Sequence, residues 1–589
     1  MEQLEGRLTT RALVELVRSA VAANMNMLRV WGGGTFAPDA FYNECDELGI
    51  LLLHDFMYAQ HGHTPSATPE QAAEVAHQVR RLSSHPSLVT WVACNECKVQ
   101  MYSATELYVT FVMAIAARED PSRPVWPSSP SLGWHAGVRL SDGTPDGTPL
   151  EARDCTEPAR SRARKAGTLI ETHGPYLRSS GFAAVDGLGA VALPVPTNLP
   201  LVLPEQLPPT GTAHANRFVS EMGAVGMPSF ESFAPSLHPE RWALHAGQPA
   251  ATCAKKRCVG SNVMARRNFP CDSLILAYFG KALRLASGGG QGWFNRTGIE
   301  PFRAQLYLCS VAQALWVKSA VEASRAKNEL GLLLWSLNDQ WPTGGWGTLE
   351  YGSDAVAGQV LGGRWKPIHY LLRRTLFADV IATCGAAGRL ARFATCYVRN
   401  DGATPFHGSV RISAVEFSTG KSTLLTTFDA RLPAGPGALR LLPTLPLDRI
   451  DGSTHLLLAR CNVASAPAGG HRRDPSASGG LVSRNEVLLA PPDELLLPAA
   501  SVHVAVQSLR GDGDTVKVKL TANATALFVH LTTLANGRFS DNFFLLPPGS
   551  RTVLFLPFGP LDEKLLRSSV RVDHLQHRLG TCLAKVRSA

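Results

Sequence analysis

Seven short runs of apolar residues constrain the fold of this chain more than any other feature of its sequence. Most of them are apolar throughout, which is typical of strands that are covered on both faces. A parallel sheet wrapped by helices produces this pattern. The runs are MLRVWG (27–32), GILLLHDF (49–56), LVTWVACN (88–95), RPVWPSS (123–129), GTLIETH (167–173), RFVSEMG (217–223) and GLLLWSLND (331–339).

Helical patterns lie between most of these runs. Residues 11–24 place Leu13, Val17 and Val21 at helical spacing, and residues 69–85 and 301–327 also indicate helices. Repeated strand–helix units at this length predict a (β/α)8 barrel. Such a barrel has eight strands, whereas seven runs are present. Because the chain opens on a helical segment that leads directly into the first run, we expect the first strand of the barrel to be missing.

The pattern changes after about residue 375. Short alternating runs with turn residues between them replace the helical patterns, and they predict two β-sandwiches. The fold class is therefore α/β plus all-β. We predict an incomplete TIM barrel over 1–375, with loop insertions at 136–166 and 185–213, a β-sandwich over 376–495 and a C-terminal β-sandwich over 496–589.

The composition excludes several classes of protein. The 589 residues carry a formal net charge of +9, but the basic residues are spread along the chain and no aromatic residues interleave with the densest clusters. We therefore predict no nucleic-acid partner. No apolar run reaches the ~20 residues of a membrane span. No targeting signal is visible, although Asn295 and Asn523 begin glycosylation sequons, and nothing indicates an oligomeric state.

The twelve cysteines do not form a readable disulfide framework. Cys94 and Cys97 have the spacing of a redox or metal-binding pair. A redox pair normally opens a helix, however, and here the pair follows a strand run. A zinc site would need a second pair, for which Cys253 and Cys258 are a loose match. We predict neither a metal nor a cofactor.

Polar residues collect at the ends of the predicted strands. In a (β/α)8 barrel the active site lies at the carboxyl ends of the strands, because the loops that follow the strands meet there. Taken singly, a glutamate at such a position is more often a solvated turn residue and a tryptophan more often a core residue. For a histidine, a satisfied core residue and a functional residue are equally good interpretations. The candidates are Arg29, Trp31, Asp55, Asn95, Glu96, His173, Tyr176, Glu221 and Trp335.

Two of these candidates, Glu96 and Glu221, would end the fourth and seventh strands of a complete barrel. Two carboxylates across a cleft are what retaining glycoside hydrolysis requires, since one protonates the leaving oxygen and the other attacks the anomeric carbon. The pair therefore favours a glycosidase, with a separation of about 5–5.5 Å if the mechanism is retaining.

Long sequence blocks resemble the β-mannosidase branch of glycoside hydrolase family 2. The resemblance covers about residues 11–375 and resumes near the C-terminus, where GRFSDNFFLLPPGSRTVLFLP is similar to the last immunoglobulin-like domain of that family. The blocks in the first region are NMNMLRVWGGGTF, FYNECDELGILLLHDFMYA, ACNE, RFVSEMGAVGMPSF, GLLLWSLNDQWPTGGWGTLEYGS and GRWKPIHYLLRR.

The resemblance implies a retaining exo-β-mannosidase that releases terminal β-linked mannose from glycoprotein oligosaccharides, with a lysosomal or secretory location. Alternatives are an inactive or merely sugar-binding truncated relative, a β-glucosaminidase and an endo-β-mannosidase. The implied roles are general acid/base for Glu96 and nucleophile for Glu221. The other implied roles are a bond to the sugar 2-hydroxyl for Asn95, ionisation of the nucleophile for Arg29, sugar binding for Asp55, pocket walls for Trp31 and Trp335, and positioning of the nucleophile for His173 or Tyr176.

Overall fold

A computed structural model describes most of the chain in thirteen segments and divides it into two compact units. The first unit lies within Met1–Tyr176, Pro204–Gly223 and Lys327–Trp335, and the second within Leu177–Leu203, Ala224–Ala326 and Ser336–Ala589. The described residues are 9–59, 64–99, 105–129, 170–177, 217–245, 271–287, 291–342, 344–351, 363–386, 391–435, 437–463, 480–507 and 516–579.

The first unit contains two sheets. One has the order β1-β2-β3-β4 with every pair parallel, and the other has the order β5-β6-β7 with β6 and β7 parallel. The seven predicted strands are thereby confirmed, each within a few residues of its expected bounds. They are β1 (Met27–Val30), β2 (Leu51–Asp55), β3 (Leu88–Val92), β4 (Val125–Trp126), β5 (Ile170–Leu177), β6 (Arg217–Ala224) and β7 (Gly331–Leu334).

The helices of the first unit follow from capping and amphipathic spacing. Thr9 caps the first helix, since its hydroxyl accepts a 3.1 Å hydrogen bond from the Ala12 N–H. Leu13 and Val17 of that helix are buried on one face, as the spacing predicts. The helices are α1 (Thr10–Ala22), α2 (Asp39–Leu48), α3 (Pro69–Leu82) and α4 (Ala114–Glu119), with a π-helical turn over Tyr108–Met113.

The second unit combines further helices with antiparallel sheets. The predicted helix over 301–327 is confirmed as a long buried helix, α8. Every helix in the described part of the chain is too short or too polar to cross a membrane. The helices are α5 (Phe230–Phe233), α6 (Cys271–Ser287), α7 (Gln291–Phe294), α8 (Ile299–Ala326), α9 (Pro367–Leu371) and α10 (Glu563–Ser569), with 3-10 turns at Ala234–Ser236, Pro239–Arg241 and Pro492–Glu494 and a π-helical turn at Leu372–Leu376.

Two pairs of antiparallel sheets follow in the second unit. In the first, the sheet β11-β10-β14-β15 packs on the sheet formed by β8, β9, β12 and β13, since Ile412 and Leu457 share a buried cluster with Val398. The strands are β8 (Val380–Ala386), β9 (Phe393–Asn400), β10 (Phe406–Glu416), β11 (Ser422–Leu432), β12 (Ala438–Leu441), β13 (Leu445–Pro446), β14 (His455–Val463) and β15 (Leu481–Leu488).

The second pair packs β16-β17-β21-β19 on β20-β18-β22, with Val518 and Val529 in one cluster. The strands are β16 (Val502–Gln507), β17 (Val516–Ala522), β18 (Ala526–Thr532), β19 (Gly537–Phe539), β20 (Phe544–Leu546), β21 (Gly549–Pro557) and β22 (Arg571–Asp573). The domain boundaries at 375/376 and 495/496 stay predictions. The predicted insertions at 136–166 and 185–213 lie outside the described residues.

Candidate active site

Arg29, in β1, joins the ends of several strands in the first unit. Its Nε and one terminal nitrogen donate to the two oxygens of Asp55 at 3.1 and 2.7 Å. That same terminal nitrogen donates to Oδ1 of Asn95 at 2.7 Å, and the other donates to Oε2 of Glu221 at 2.7 Å. The guanidinium of Arg29 therefore joins three other residues that were predicted from separate strand ends, Asp55, Asn95 and Glu221.

Burial and charge act against each other on this group. Burial lowers the pKa of Arg29, but the charges of Asp55 and Glu221 outweigh it, and the net pKa lies above the ordinary value. Burial likewise pushes the pKa of Asp55 upward, and Arg29 opposes that shift. Because Arg29 stays charged, it places a positive charge beside the Glu221 carboxylate.

The glycines after β1 allow this region to pack closely. A Cβ on Gly32 would lie 2.4 Å from the carbonyl oxygen of Tyr58, and the Gly32 N–H donates to Asp55 at 3.1 Å. A Cβ on Gly33 would lie 2.0 Å from the indole of Trp31. A side chain at Gly32 would therefore clash with the Tyr58 backbone, and a side chain at Gly33 would clash with the Trp31 indole, which packs against the Gly33 backbone.

Glu96 has an unusual backbone conformation. Its φ angle is +55°, a left-handed conformation that costs a residue with a side chain about 1–3 kcal/mol. Neighbouring backbone bonds maintain it: the Glu96 N–H donates to the Ser129 carbonyl at 2.7 Å, and the Asn95 N–H donates to the Tyr58 carbonyl at 3.0 Å. The chain turns after β3 in this way and points the Glu96 carboxylate toward β5.

His173 lies between the two candidate carboxylates. Its Nε2 is 3.1 Å from Oε1 of Glu96 and 3.5 Å from Oε2 of Glu221. The side chains of His173 and Glu221 are mostly buried, and that of Glu96 is 21% exposed. The two glutamates therefore approach the same imidazole nitrogen, and Glu96 is the more accessible of the two.

A layer of polar side chains that the sequence did not single out lies beside His173. The Ser129 hydroxyl donates to Glu171 at 2.6 Å and is 3.1 Å from the hydroxyl of Ser220. Both hydroxyls are 3.5 Å from Nδ1 of His173. Glu171 is two residues before His173 in β5, and this shared strand face is the signal that sequence reasoning missed.

His54 was also missed, because it lies inside an apolar run. Its Nδ1 is 2.8 Å from the Asp55 carbonyl oxygen, which can only accept, so Nδ1 carries the hydrogen. Its Nε2 then accepts from the hydroxyl of Tyr42 at 2.8 Å. Burial lowers the pKa of His54 to about 3, so the ring is neutral and helps to hold the end of β2.

Trp31 and Trp335 form one aromatic pair. Their ring centroids are 5.1 Å apart at an interplanar angle of 64°, an edge-to-face contact. Both side chains are partly exposed, so the pair offers an apolar surface. The backbone of Tyr176 lies in β5, but its side chain lies outside the described residues, and its proposed role stays a prediction.

Cys94 and Cys97 are joined by a disulfide on either side of Glu96, with their Cα atoms 5.8 Å apart. This pairing leaves neither thiolate for the metal site that the spacing alone permitted. Among the described residues, no group of three or more His, Cys, Asp or Glu side chains is placed to hold a metal ion.

Comparison with known proteins identifies the relatives of the chain. A family model described as the Ig-fold domain of mannosidases matches residues 497–578. A beta-mannosidase of Bos taurus is 28% identical over 611 residues, which cover 98% of this chain and 59% of the relative. The chain is similar in sequence to β-mannosidases. It spans less than two thirds of the length of the curated relatives it matches.

Solved structures agree in fold. A β-D-mannosidase from Dictyoglomus thermophilum matches with a TM-score of 0.61 at 21% identity, over 96% of this chain and 58% of that one. The exo-chitosanase CsxA of Amycolatopsis orientalis matches with a TM-score of 0.59 at 15% identity, over 98% and 62%. At these identities the matches support the fold of the β-mannosidase relatives, and the chemistry must be argued from the residues.

Proposed function

We propose that this chain carries the active site of a retaining exo-β-mannosidase that hydrolyses terminal β-linked mannose in oligosaccharides. The observation that carries the proposal is the approach of Glu96 and Glu221 to the same nitrogen of His173, at 3.1 and 3.5 Å. The choice of mannose comes from the likeness to β-mannosidases along 98% of the chain, and the exo mode of action comes from the resemblance of the sequence blocks.

The geometry supports retention over inversion. The two carboxylate oxygens cannot be farther apart than the sum of their distances to Nε2 of His173. That upper limit reaches only the lower end of the range of inverting enzymes, about 6.5–9.5 Å, and it includes the range of retaining enzymes, about 5–5.5 Å. The separation therefore favours direct attack by Glu221 over attack by a water held between the carboxylates, and we assign Glu221 as the nucleophile.

The reaction has two steps. In the first, Glu221 attacks the anomeric carbon while Glu96 transfers its proton to the leaving oxygen, so that the glycosidic bond breaks and a glycosyl ester of Glu221 forms. In the second, Glu96, now a carboxylate, takes a proton from water as that water attacks the same carbon and releases Glu221. Both carboxyl groups then return to their starting states, and the product keeps the β configuration.

Arg29 and Asn95 support this chemistry. The bond from Arg29 keeps Glu221 ionised, as a nucleophile must be. The same guanidinium occupies Oδ1 of Asn95 and so turns its amide nitrogen, with two hydrogens, toward the position proposed for the sugar 2-hydroxyl. Asp55 already accepts three bonds from Arg29 and Gly32, so we assign it first to holding Arg29 and then to sugar binding.

We further propose that β1 to β7 belong to one (β/α)8 barrel. The parallel order of β1 to β4, the parallel pair β6 and β7, and the contact of β1 with β7 support this arrangement. The partly exposed Trp31–Trp335 pair would then form an apolar wall for the sugar ring. A lysosomal or secretory location stays a prediction from the resemblance.

The test is hydrolysis of a chromogenic β-mannoside by the purified chain, with the matching β-glucosaminide as a comparison. Glu221→Ala is expected to lose at least about 10³-fold in kcat, as for the removal of a covalent nucleophile. With azide added, Glu96→Ala should yield a β-glycosyl azide and Glu221→Ala an α-glycosyl azide, since azide replaces water in the first case and the nucleophile in the second. Glu44→Ala, whose carboxylate pairs with Arg18, is the control and should keep full activity.

Other results would change the assignment. Faster hydrolysis of the β-glucosaminide than of the β-mannoside would assign the chain as a β-glucosaminidase. Binding of mannose without turnover would favour a sugar-binding relative. Absence of both binding and turnover would refute the proposal.

A further inference from the structure

Glu171 is a buried carboxylate next to the candidate site to which the two-step reaction assigns no role. Its side chain is 5% exposed, and it lies two residues before His173 in β5. Residues at this spacing share one face of a strand. A buried carboxylate is costly unless hydrogen bonds and nearby charges compensate it, and Glu171 is close enough to Arg29 to raise the pKa of the guanidinium.

Ser129 connects this carboxylate to the site. Its hydroxyl is 2.6 Å from Oε1 of Glu171. Its backbone N–H and its carbonyl each form a hydrogen bond with the turn that contains Glu96. The Ser129 N–H donates to the Cys94 carbonyl at 3.2 Å, and the Ser129 carbonyl accepts from the Glu96 N–H at 2.7 Å. One fully buried serine therefore binds both Glu171 and the backbone of the proposed acid.

The number of hydrogens decides the direction of the bonds. A serine hydroxyl has one hydrogen to donate, and in Ser129 the short bond to the Glu171 carboxylate takes it. The Ser129 oxygen is therefore an acceptor toward its other neighbours. Nδ1 of His173 is 3.5 Å from that oxygen, so a hydrogen on Nδ1 can donate to it.

We propose that Glu171 is a positioning residue that acts through Ser129 to keep the hydrogen of His173 on Nδ1, so that Nε2 is presented to Glu96 and Glu221. This inference rests on the proposed glycosidase function. With Nδ1–H fixed, the neutral ring offers a lone pair to the protonated Glu96 in the resting state.

The first test compares Glu171→Gln with a matched control. Glutamine keeps the size of the side chain and removes its charge. Asp120 is a buried carboxylate of the same unit that accepts from Trp91 and Arg123 and lies outside the site, so Asp120→Asn removes a comparable charge elsewhere. We expect Glu171→Gln to lower kcat on a β-mannoside by roughly 10–100-fold, the effect of removing a supporting carboxylate from a functional histidine in metal sites, with little change in KM.

The pH profile distinguishes positioning from a general loss of structure. The two variants are therefore compared with the unaltered chain over the full pH range, and only Glu171→Gln should change the shape of the kcat profile. Asp120→Asn should leave both kcat and the profile unchanged. An equal loss in both variants would mean that any buried charge matters, and it would overturn the proposal.

A measurement without substrate keeps the inference separate from the proposed function. In protein labelled with 15N-histidine, the ring signals of His173 are identified by their disappearance in His173→Asn. We expect Nδ1 to be protonated in the unaltered protein and the ring signals to change in Glu171→Gln but not in Asp120→Asn. If the unaltered chain hydrolyses no glycoside and the signals still behave in this way, the proposed function fails and the positioning role stands. Unchanged His173 signals in Glu171→Gln would overturn the positioning role whatever the activity.

Discussion

Arg29→Met tests the arrangement of the candidate site most directly. Methionine retains a long flexible stem and removes the guanidinium, so the change is mainly one of charge and hydrogen bonds. The guanidinium makes four hydrogen bonds in the structure, to Asp55, Asn95 and Glu221. Two consequences follow, one for stability and one for activity, and they can be measured separately.

The effect on stability comes from Asp55, whose side chain is fully buried. Removing one partner of a buried ion pair costs about 3–5 kcal/mol, because the other charge is left uncompensated. The N–H of Gly32 still donates to Asp55, so we expect the lower end, about 3 kcal/mol. Adding Asp55→Asn removes the stranded charge and should recover at least about 1 kcal/mol of that loss.

The effect on activity comes from Glu221. Its 2.7 Å bond from Arg29 is between charged groups, for which the net contribution is about 1.5–3 kcal/mol. If the whole of this contribution supports the ionised nucleophile, kcat/KM falls by roughly 10- to 150-fold. The double variant Arg29→Met/Asp55→Asn should stay as inactive as the single variant, because neither change restores the bond to Glu221.

Stability is best followed by hydrogen exchange, since a chain of several domains does not unfold in one step. Peptides that contain β2 should exchange faster in Arg29→Met, whereas peptides that contain β17, in the second unit, serve as an internal control. Hydrolysis of the β-mannoside is measured on the same preparations. Unchanged exchange in β2, or activity equal to that of the unaltered chain, would refute the reasoning.

Two further predictions follow from the packing of the first unit. The pKa of His54 is about 3 in the folded protein, against 6.5 for a free imidazole, so the unfolded chain takes up a proton first as the pH falls. Stability should therefore decline below about pH 6.5, by about 3 kcal/mol at pH 4.5, and thermal denaturation of His54→Gln should show a weaker pH dependence over this range. A Cβ at Gly33 would displace the Trp31 indole, whereas at Gly34 it would meet only an ordinary 3.5 Å contact. Gly33→Ala should raise KM and Gly34→Ala should not; equal effects would contradict the role of Trp31 as a pocket wall.

The local structure of this chain follows from its sequence. All seven apolar runs are strands, since side chains that are apolar on both faces of an extended segment are stable only when both faces are covered. Polar residues that end such runs stand out for the same reason. Arg29, Asp55, Asn95 and Glu221 could be singled out without coordinates, and the structure brings all four together.

The interactions behind the site depend on tertiary structure. Ser129, Glu171 and Ser220 are ordinary residues in the sequence, and they become a connected layer because strands separated by 42 to 91 residues place them within 2.6 to 3.1 Å of one another. The left-handed turn at Glu96 is likewise held by backbone bonds to Ser129 and from Asn95 to Tyr58, and these two residues follow the neighbouring strands β4 and β2. Periodicity and polarity along a chain describe what each residue needs, whereas hydrogen-bond partners between strands are chosen when the sheets assemble.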